Sequence, residues 1–267
     1  MKNPQRRHAL RWSVVPGLAL ALAAASCGAR QDDIQPGALG ADEFLYERGR
    51  QAMEDRKWSE ARDFFTRLID GYPSSQYRAD AKLSIGDVYL EQGSGESLVL
   101  AQAEFRDFLS YYPTSPRADY AQYKLAMTHF NAMRSPGRDQ TETVAAIREL
   151  ELLVERYPNS EFLEEGRTRL REARDRQSES ELRVGLHYLR TRWYPGAVAR
   201  FRGLLESDPG FANRDAVYFY LAEAYRRALN PAEAKPYYER LIAEFEVSEF
   251  LDDARERLSE LGQGANN

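Results

Sequence analysis

Residues 182–210 read "LRVGLHYLRTRWYPGAVARFRGLLESDPG". In this stretch Gly185, Ala197 and Pro209 stand 12 residues apart. The apolar residues between them recur at i, i+3, i+4 and i+7, as in "AVARFRGLLESD" (197–208), which is the period of an amphipathic helix. Two antiparallel helices approach closely only where side chains are small. Gly185 therefore marks the crossing point on a first helix and Ala197 the crossing point on a second. Pro209 stops the second helix, because it lacks an N–H and restricts the residue before it. The stretch encodes a helical hairpin.

The same spacing recurs along the chain. Gly49, Ala61 and Pro73 repeat the two intervals of 12. Gly86, Ala101 and Pro113 do so with three extra residues before the alanine, and Ala126, Ala146 and Pro158 with eight. Ala222 and Ala234 form a fifth pair, with Glu246 where the proline would stand. Large residues flank each crossing: Tyr89, Tyr188 and Tyr225 on first helices, and Phe65, Phe105, Phe201 and Tyr238 on second helices. The junctions are near-copies, "YPSS" (72–75), "YPTS" (112–115) and "YPNS" (157–160), with "SDPG" (207–210) in the same place. The extra residues fall in the loop-like "GSGES" (93–97) and "RSPGRDQT" (134–141). This resembles the tetratricopeptide repeat, a helix–turn–helix unit. The expected fold is all-α: a tetratricopeptide-repeat solenoid of about five helix pairs, closed by a C-terminal capping helix over 251–261.

The organisation follows. Residues 41–177 are expected to hold repeats 1–3, residues 178–261 repeats 4 and 5 with the cap, and residues 262–267 a frayed tail. No proline stands between 159 and 192. The pattern there predicts one long helix, or a pair joined near Ser178, linking the two groups of repeats.

The N-terminus reads as an address. "KNPQRRHALR" (2–11) is basic, and residues 14–25 are an apolar run too short to span a bilayer. Residues 1–26 are expected to be a lipoprotein signal peptide. Ala24-Ala25-Ser26-Cys27 resembles the lipobox of bacterial lipoproteins, and Cys27 is the only cysteine in the chain. It is expected to carry the lipid, with residues 27–40 as a tether whose mean reach is roughly 20 Å. An ordinary signal peptide with an incidental cysteine is the alternative. Gly28 stands where an Asp retains many lipoproteins at the inner membrane, so the address is compatible with the outer membrane.

Composition and charge narrow the function. The chain carries a net charge of −5, and without the four cations of residues 1–26 the remainder carries −9. That balance argues against nucleic acid as a partner. One cysteine builds neither a disulfide nor a thiolate metal site. No HExxH, GxSxG, phosphate-binding glycine loop or EF-hand occurs. His129 and His187 stand at or beside a large-residue position and are expected to pack. The run "RTRLREARDR" (167–176) interleaves acids and reads as a solvated helix face, with a docking patch as the lesser alternative. No enzyme, cofactor or metal site is expected.

A binding role is expected instead. First-helix residues line the inner wall of such an array, at three before, one after and four after the small residue. These are Tyr46, Arg50 and Met53 in repeat 1, Leu83, Asp87 and Leu90 in repeat 2, and Tyr123, Met127 and Phe130, with Tyr120 adjacent, in repeat 3. Aromatic and methionine side chains suit an extended peptide with apolar side chains. The alternative is that several of them pack against the next repeat.

Taken together, the signal, lipobox, short tether, five repeats and long central helix resemble one family. It is the BamD family of the outer-membrane β-barrel assembly machinery. The specific stretches are "YPSSQYRADA", "YPNSEFLEEG" and "ARDRQSESELRVGLHYLRTRWYPGAVARF". The resemblance implies a lipid-anchored scaffold at the periplasmic face of the outer membrane. Its N-terminal repeats would receive unfolded outer-membrane protein precursors, with Tyr46, Arg50, Tyr123, Met127 and Phe130 facing them. Its C-terminal repeats would bind the barrel insertase BamA, with Arg200 and Arg202 as exposed cations, beside other lipoproteins of the machinery. Two further readings stay open. One is a periplasmic repeat adaptor of the cell-division or envelope-tethering type. The other is an accessory module of a cell-wall enzyme.

Overall fold

The computed structural model describes residues 40–264, and all of them fall in one compact unit. The expected signal, Cys27 and nearly all of the tether lie outside the described residues, as do residues 265–267. Eleven helices and no strand occur among the described residues. They pair in chain order: α1 (Ala41–Glu54) with α2 (Trp58–Gly71), α3 (Arg78–Gln92) with α4 (Gly95–Tyr111), and α5 (Ala118–Ala132) with α6 (Thr141–Arg156). Then α7 (Leu163–Arg190) pairs with α8 (Tyr194–Ser207), α9 (Arg214–Arg227) with α10 (Pro231–Glu244), and α11 (Leu251–Gly264) closes the array. Each helix packs on the next, and α1, α3, α5, α7 and α9 also touch their alternate neighbours, whereas the even-numbered helices make at most slight contact with one another. The odd-numbered helices are therefore the tighter, inner layer of a tetratricopeptide-repeat solenoid.

The small-residue spacing works differently from the simplest expectation. Small does not face small. The glycine of the first helix faces the aromatic ring one turn beyond the alanine of the second. A Cβ on Gly49 would come 2.5 Å from Phe65, and one on Gly86 would come 2.7 Å from Phe105. Gly185 is closed off in the same way by Phe201. Ala61, Ala101, Ala146, Ala197 and Ala234, and the Phe65, Phe105, Leu150, Phe201 and Tyr238 that follow four residues later, are all fully buried. The crossing is thus a ring seated in a missing side chain.

The junction motif sets each reversal. α2, α4 and α6 end two residues before the proline, and Tyr72, Tyr112 and Tyr157 between them adopt φ of −131°, −127° and −125°. These extended values are what the following proline allows. The motif serine then starts the next helix. Ser75, Ser115 and Ser160 donate their N–H to those tyrosine carbonyls at 3.0, 3.1 and 3.0 Å. Their hydroxyls accept the N–H two residues on at 3.1 Å in each case. Ser248 does the same for α11 without a proline, its hydroxyl accepting the Phe250 N–H at 3.2 Å.

α7 is the one long helix expected, uninterrupted over 28 residues and about 42 Å long, with no joint near Ser178, so the expected division at 177–178 falls in its middle. Other expectations shift. The three extra residues of repeat 2 lengthen α4 to 17 residues, whereas most of the eight in repeat 3 lengthen the turn over 133–140 and the rest extend α5 and α6. α11 continues to Gly264, past the expected start of fraying. His129 is buried, with Nδ1 at 2.7 Å from Glu142 Oε2. His187, expected to pack, is exposed, because it points away from the α8 side of its helix. Four of the five arginines of residues 167–176 reach neighbouring elements from this partly exposed face. Arg169 lies 5.4 Å from the Phe130 ring, Arg171 binds Asp208, Arg174 pairs with Glu151, and Arg176 donates to the Arg134 carbonyl.

Candidate functional site: the inner wall

The inner helices carry the expected wall residues, but the three positions in each repeat differ in what they touch. The position three before the small residue faces the next repeat. Tyr46 stacks on Tyr77 at 5.1 Å and 17°, Tyr123 on Phe162 at 5.1 Å and 12°, and Phe219 on Phe250 at 4.9 Å and 23°. Leu182 and Phe211 share one core in the same way. Tyr77, Phe162 and Phe250 each stand two residues after a junction serine, so the motif supplies both the turn and the ring that binds the preceding repeat. Burial pushes the Tyr46 hydroxyl above its usual pKa, and burial with the nearby Glu165 pushes Tyr123 higher still. Leu83 occupies this position in repeat 2 and is buried in a core with Leu98 and Phe105.

The junction between repeats 2 and 3 breaks the pattern. The residue two after its serine is Arg117, an exposed cation in place of a ring. Its guanidinium lies 4.6 Å from the Tyr120 ring centroid, and Lys124 Nζ lies 5.3 Å from the same ring. The Tyr120 hydroxyl donates to Asp87 Oδ2 at 2.8 Å. Lys124 Nζ stands 3.5 Å from Asp87 Oδ1, which is buried and receives no hydrogen bond. Burial raises the Asp87 pKa despite Lys124, and burial with the Asp87 charge drives the Tyr120 hydroxyl well above the usual phenol range. Two cations thus flank one carboxylate and one ring.

The remaining wall residues stand elsewhere on the inner helices. Met53, Met127 and Phe130 are half-buried, with Arg169 over the Phe130 ring. Arg50 is exposed and pairs with Glu47 at 3.3 Å, a contact that is screened and weak. The structure therefore groups Asp87, Tyr120, Met127 and Phe130 on consecutive inner helices, and sets Tyr46, Leu83 and Tyr123 into packing. Sequence inspection missed Arg117, Lys124 and Phe162. The signal was present: "SPR" stands where "SQY" and "SEF" stand elsewhere.

The two C-terminal cations separate. Arg200 pairs with Glu181 at 3.0 Å. Arg202 lines a cleft of about 460 Å³ with Arg214, Tyr218, Tyr237, Arg240 and Glu244. Arg240 donates to the Tyr218 hydroxyl at 2.7 Å and to Glu244 at 3.0 Å. Three guanidiniums meet two carboxylates there, Glu206 and Glu244. No group of three or more acidic, histidine or cysteine residues that could hold a metal occurs among the described residues, and no described helix is long and apolar enough to cross a membrane.

A family described as YfiO, outer membrane lipoprotein, matches residues 40–241. The chain is similar to the outer membrane protein assembly factor BamD of Caulobacter vibrioides, 29% identical over 183 residues, covering 68% of this chain and 59% of that protein. It is also similar to that of Neisseria gonorrhoeae, 24% identical over 248 residues, covering 89% of this chain and 91% of the relative. Among solved structures, the TPR2AB-domain:pHSP90 complex of yeast Sti1 aligns with a TM-score of 0.48 at 12% identity, covering 84% of each chain.

Proposed function

The chain belongs to the YfiO family of outer membrane lipoproteins, and on that premise we propose that it is a non-catalytic scaffold of outer membrane protein assembly. It is held by a lipid on Cys27 at the periplasmic face of the outer membrane. The inner wall of repeats 1–3 receives unfolded outer-membrane protein precursors, and repeats 4 and 5 bind the barrel insertase BamA. The observation that carries the role is the family match across 40–241, which runs through all five helix pairs.

The open junction between repeats 2 and 3 supports the location. An extended segment with alternating apolar side chains would find half-buried Met127 and Phe130 further along α5, and the exposed Arg117 at the junction offers a cation to a carboxylate. At the other end, the cleft around Arg202, Arg214 and Arg240 suits an acidic partner surface.

Purification of the full-length lipidated chain from detergent-solubilised membranes tests the role. Co-elution of the barrel insertase is expected. Co-elution of only peptidoglycan or division proteins contradicts it and favours an envelope adaptor.

A further inference from the structure

The second half of the array hangs on one helix. α7 is the only described helix in substantial contact with both α5–α6 and α8–α9. Its last turns dock on α8 where Phe201 closes over Gly185. Its middle is thinly packed: between Gly166 and Leu182 the buried residues are the small Ala173 and Ser178. That apolar docking is confined to the C-terminal part of α7, from Leu182 to Leu189, where it joins the core of α8 and α9, so the N-terminal part of the helix has no share in it.

A second attachment stands upstream. Asp208 is the junction residue at which Tyr72, Tyr112 and Tyr157 stand elsewhere. It is buried, and Arg171 grips both of its oxygens, Nη1 to Oδ1 at 2.8 Å and Nη2 to Oδ2 at 2.5 Å. The Ser178 hydroxyl donates to Oδ2 at 2.6 Å. Beside it, the Ala212 N–H donates to Asp175 Oδ1 at 3.0 Å. Burial would raise the Asp208 pKa, but the bonds from Arg171 and Ser178 outweigh it and hold the carboxyl below its usual value. Arg171 lies 14 residues before Gly185, about 21 Å along the helix. Two attachments that far apart fix an orientation that neither fixes alone.

We propose that Arg171, Ser178 and Asp208 are positioning residues, an ionic brace that fixes the angle at which repeats 4 and 5 are carried relative to repeats 1–3. The one junction that gives up its aromatic residue for an acid is the one that lies back along the long helix. A bidentate guanidinium–carboxylate pair is directional, whereas an apolar contact slides, so the exchange adds angular definition. The brace holds whether or not the two ends bind what is proposed above.

Spin labels at Ala103→Cys on α4 and Ala243→Cys on α10, both exposed, in a full-length chain with Cys27→Ser, read the angle as a distance distribution. The unmodified brace is expected to give one narrow distribution. Asp208→Asn is expected to widen it at least twofold with the helical circular dichroism unchanged, and Arg171→Lys, which keeps the charge but loses the fork, by less. Arg174→Gln, which breaks the pair with Glu151 on the other side of α7, is expected to leave the width unchanged. If Asp208→Asn unfolds the chain, Arg171→Gln serves as the second variant, since its side chain is partly exposed. A folded Asp208→Asn or Arg171→Gln chain with an unchanged width overturns the proposal, even if its melting temperature falls.

Discussion

At the scale of single residues, the absence of a side chain carries as much as its presence. Gly185→Ala gains roughly 1 kcal/mol of helix propensity and places a methyl group inside the Phe201 ring contact. Overpacking of that kind costs about 1–3 kcal/mol, so a net loss of up to about 2 kcal/mol is expected in denaturant unfolding. Phe201→Leu in the same chain relieves the clash, and the double variant is expected to lose less than the two single losses added together. Glu223 is the opposite case, a buried charge held by many partners. Arg226 grips both of its oxygens at 2.9 Å, Arg227 donates at 3.1 Å and the Tyr238 hydroxyl at 2.6 Å. Burial alone would raise its pKa, but these partners outweigh burial and bring it from 4.5 down to about 2. The folded value is the lower one, so the stabilisation is complete above pH 4.5 and is lost as pH falls towards 2. An acid titration of stability is expected to lose on the order of 3 kcal/mol over that window in the native chain, and not in Glu223→Gln. Glu223→Gln itself lowers stability at pH 7, because Arg226 and Arg227 lose their counter-charge.

At the scale of elements, turns and junctions decide how much could be read in advance. The helix pairs were legible because 3.6-residue periodicity and small residues agree over five repeats and the prolines over four of them. The stacking role of Tyr46 and Tyr123 was not, because position within a helix gives a face and not the neighbour that covers it. Tyr77 and Phe162, which cover them, lie beyond the helix in which the face was counted. The brace was illegible for a similar reason: Arg171 and Asp208 stand 37 residues apart and meet only because α7 runs on without a break. The turns between paired helices hold one more signal. Arg56, Arg192 and Leu229 take φ of 57°, 63° and 59°, a left-handed conformation that costs a non-glycine residue roughly 1–2 kcal/mol. Leu229 is 89% exposed and gains nothing from burial there. Leu229→Asn is expected to raise stability by roughly 0.5–1 kcal/mol, read as a higher denaturant midpoint at unchanged slope.

At the scale of the whole molecule, the array separates its tasks along its length. Repeats 1–3 present an inner wall with an exposed cation, Arg117, at one junction, repeats 4 and 5 present a cleft of three arginines, and α7 carries one relative to the other. Attachment to the membrane belongs to Cys27 in this account. Cys27→Ser is expected to move the protein from the membrane to the soluble fraction with its helical signal and melting temperature unchanged, as judged by fractionation and circular dichroism. The wall itself is tested most directly by a photo-crosslinking residue in the lipidated chain, placed either at Met127 on the inner wall or at Thr66, exposed on α2. Crosslinks to unfolded outer-membrane protein precursors at Met127, and few or none at Thr66, are the predicted result. Equal capture at both positions, or capture at Thr66 alone, would contradict it.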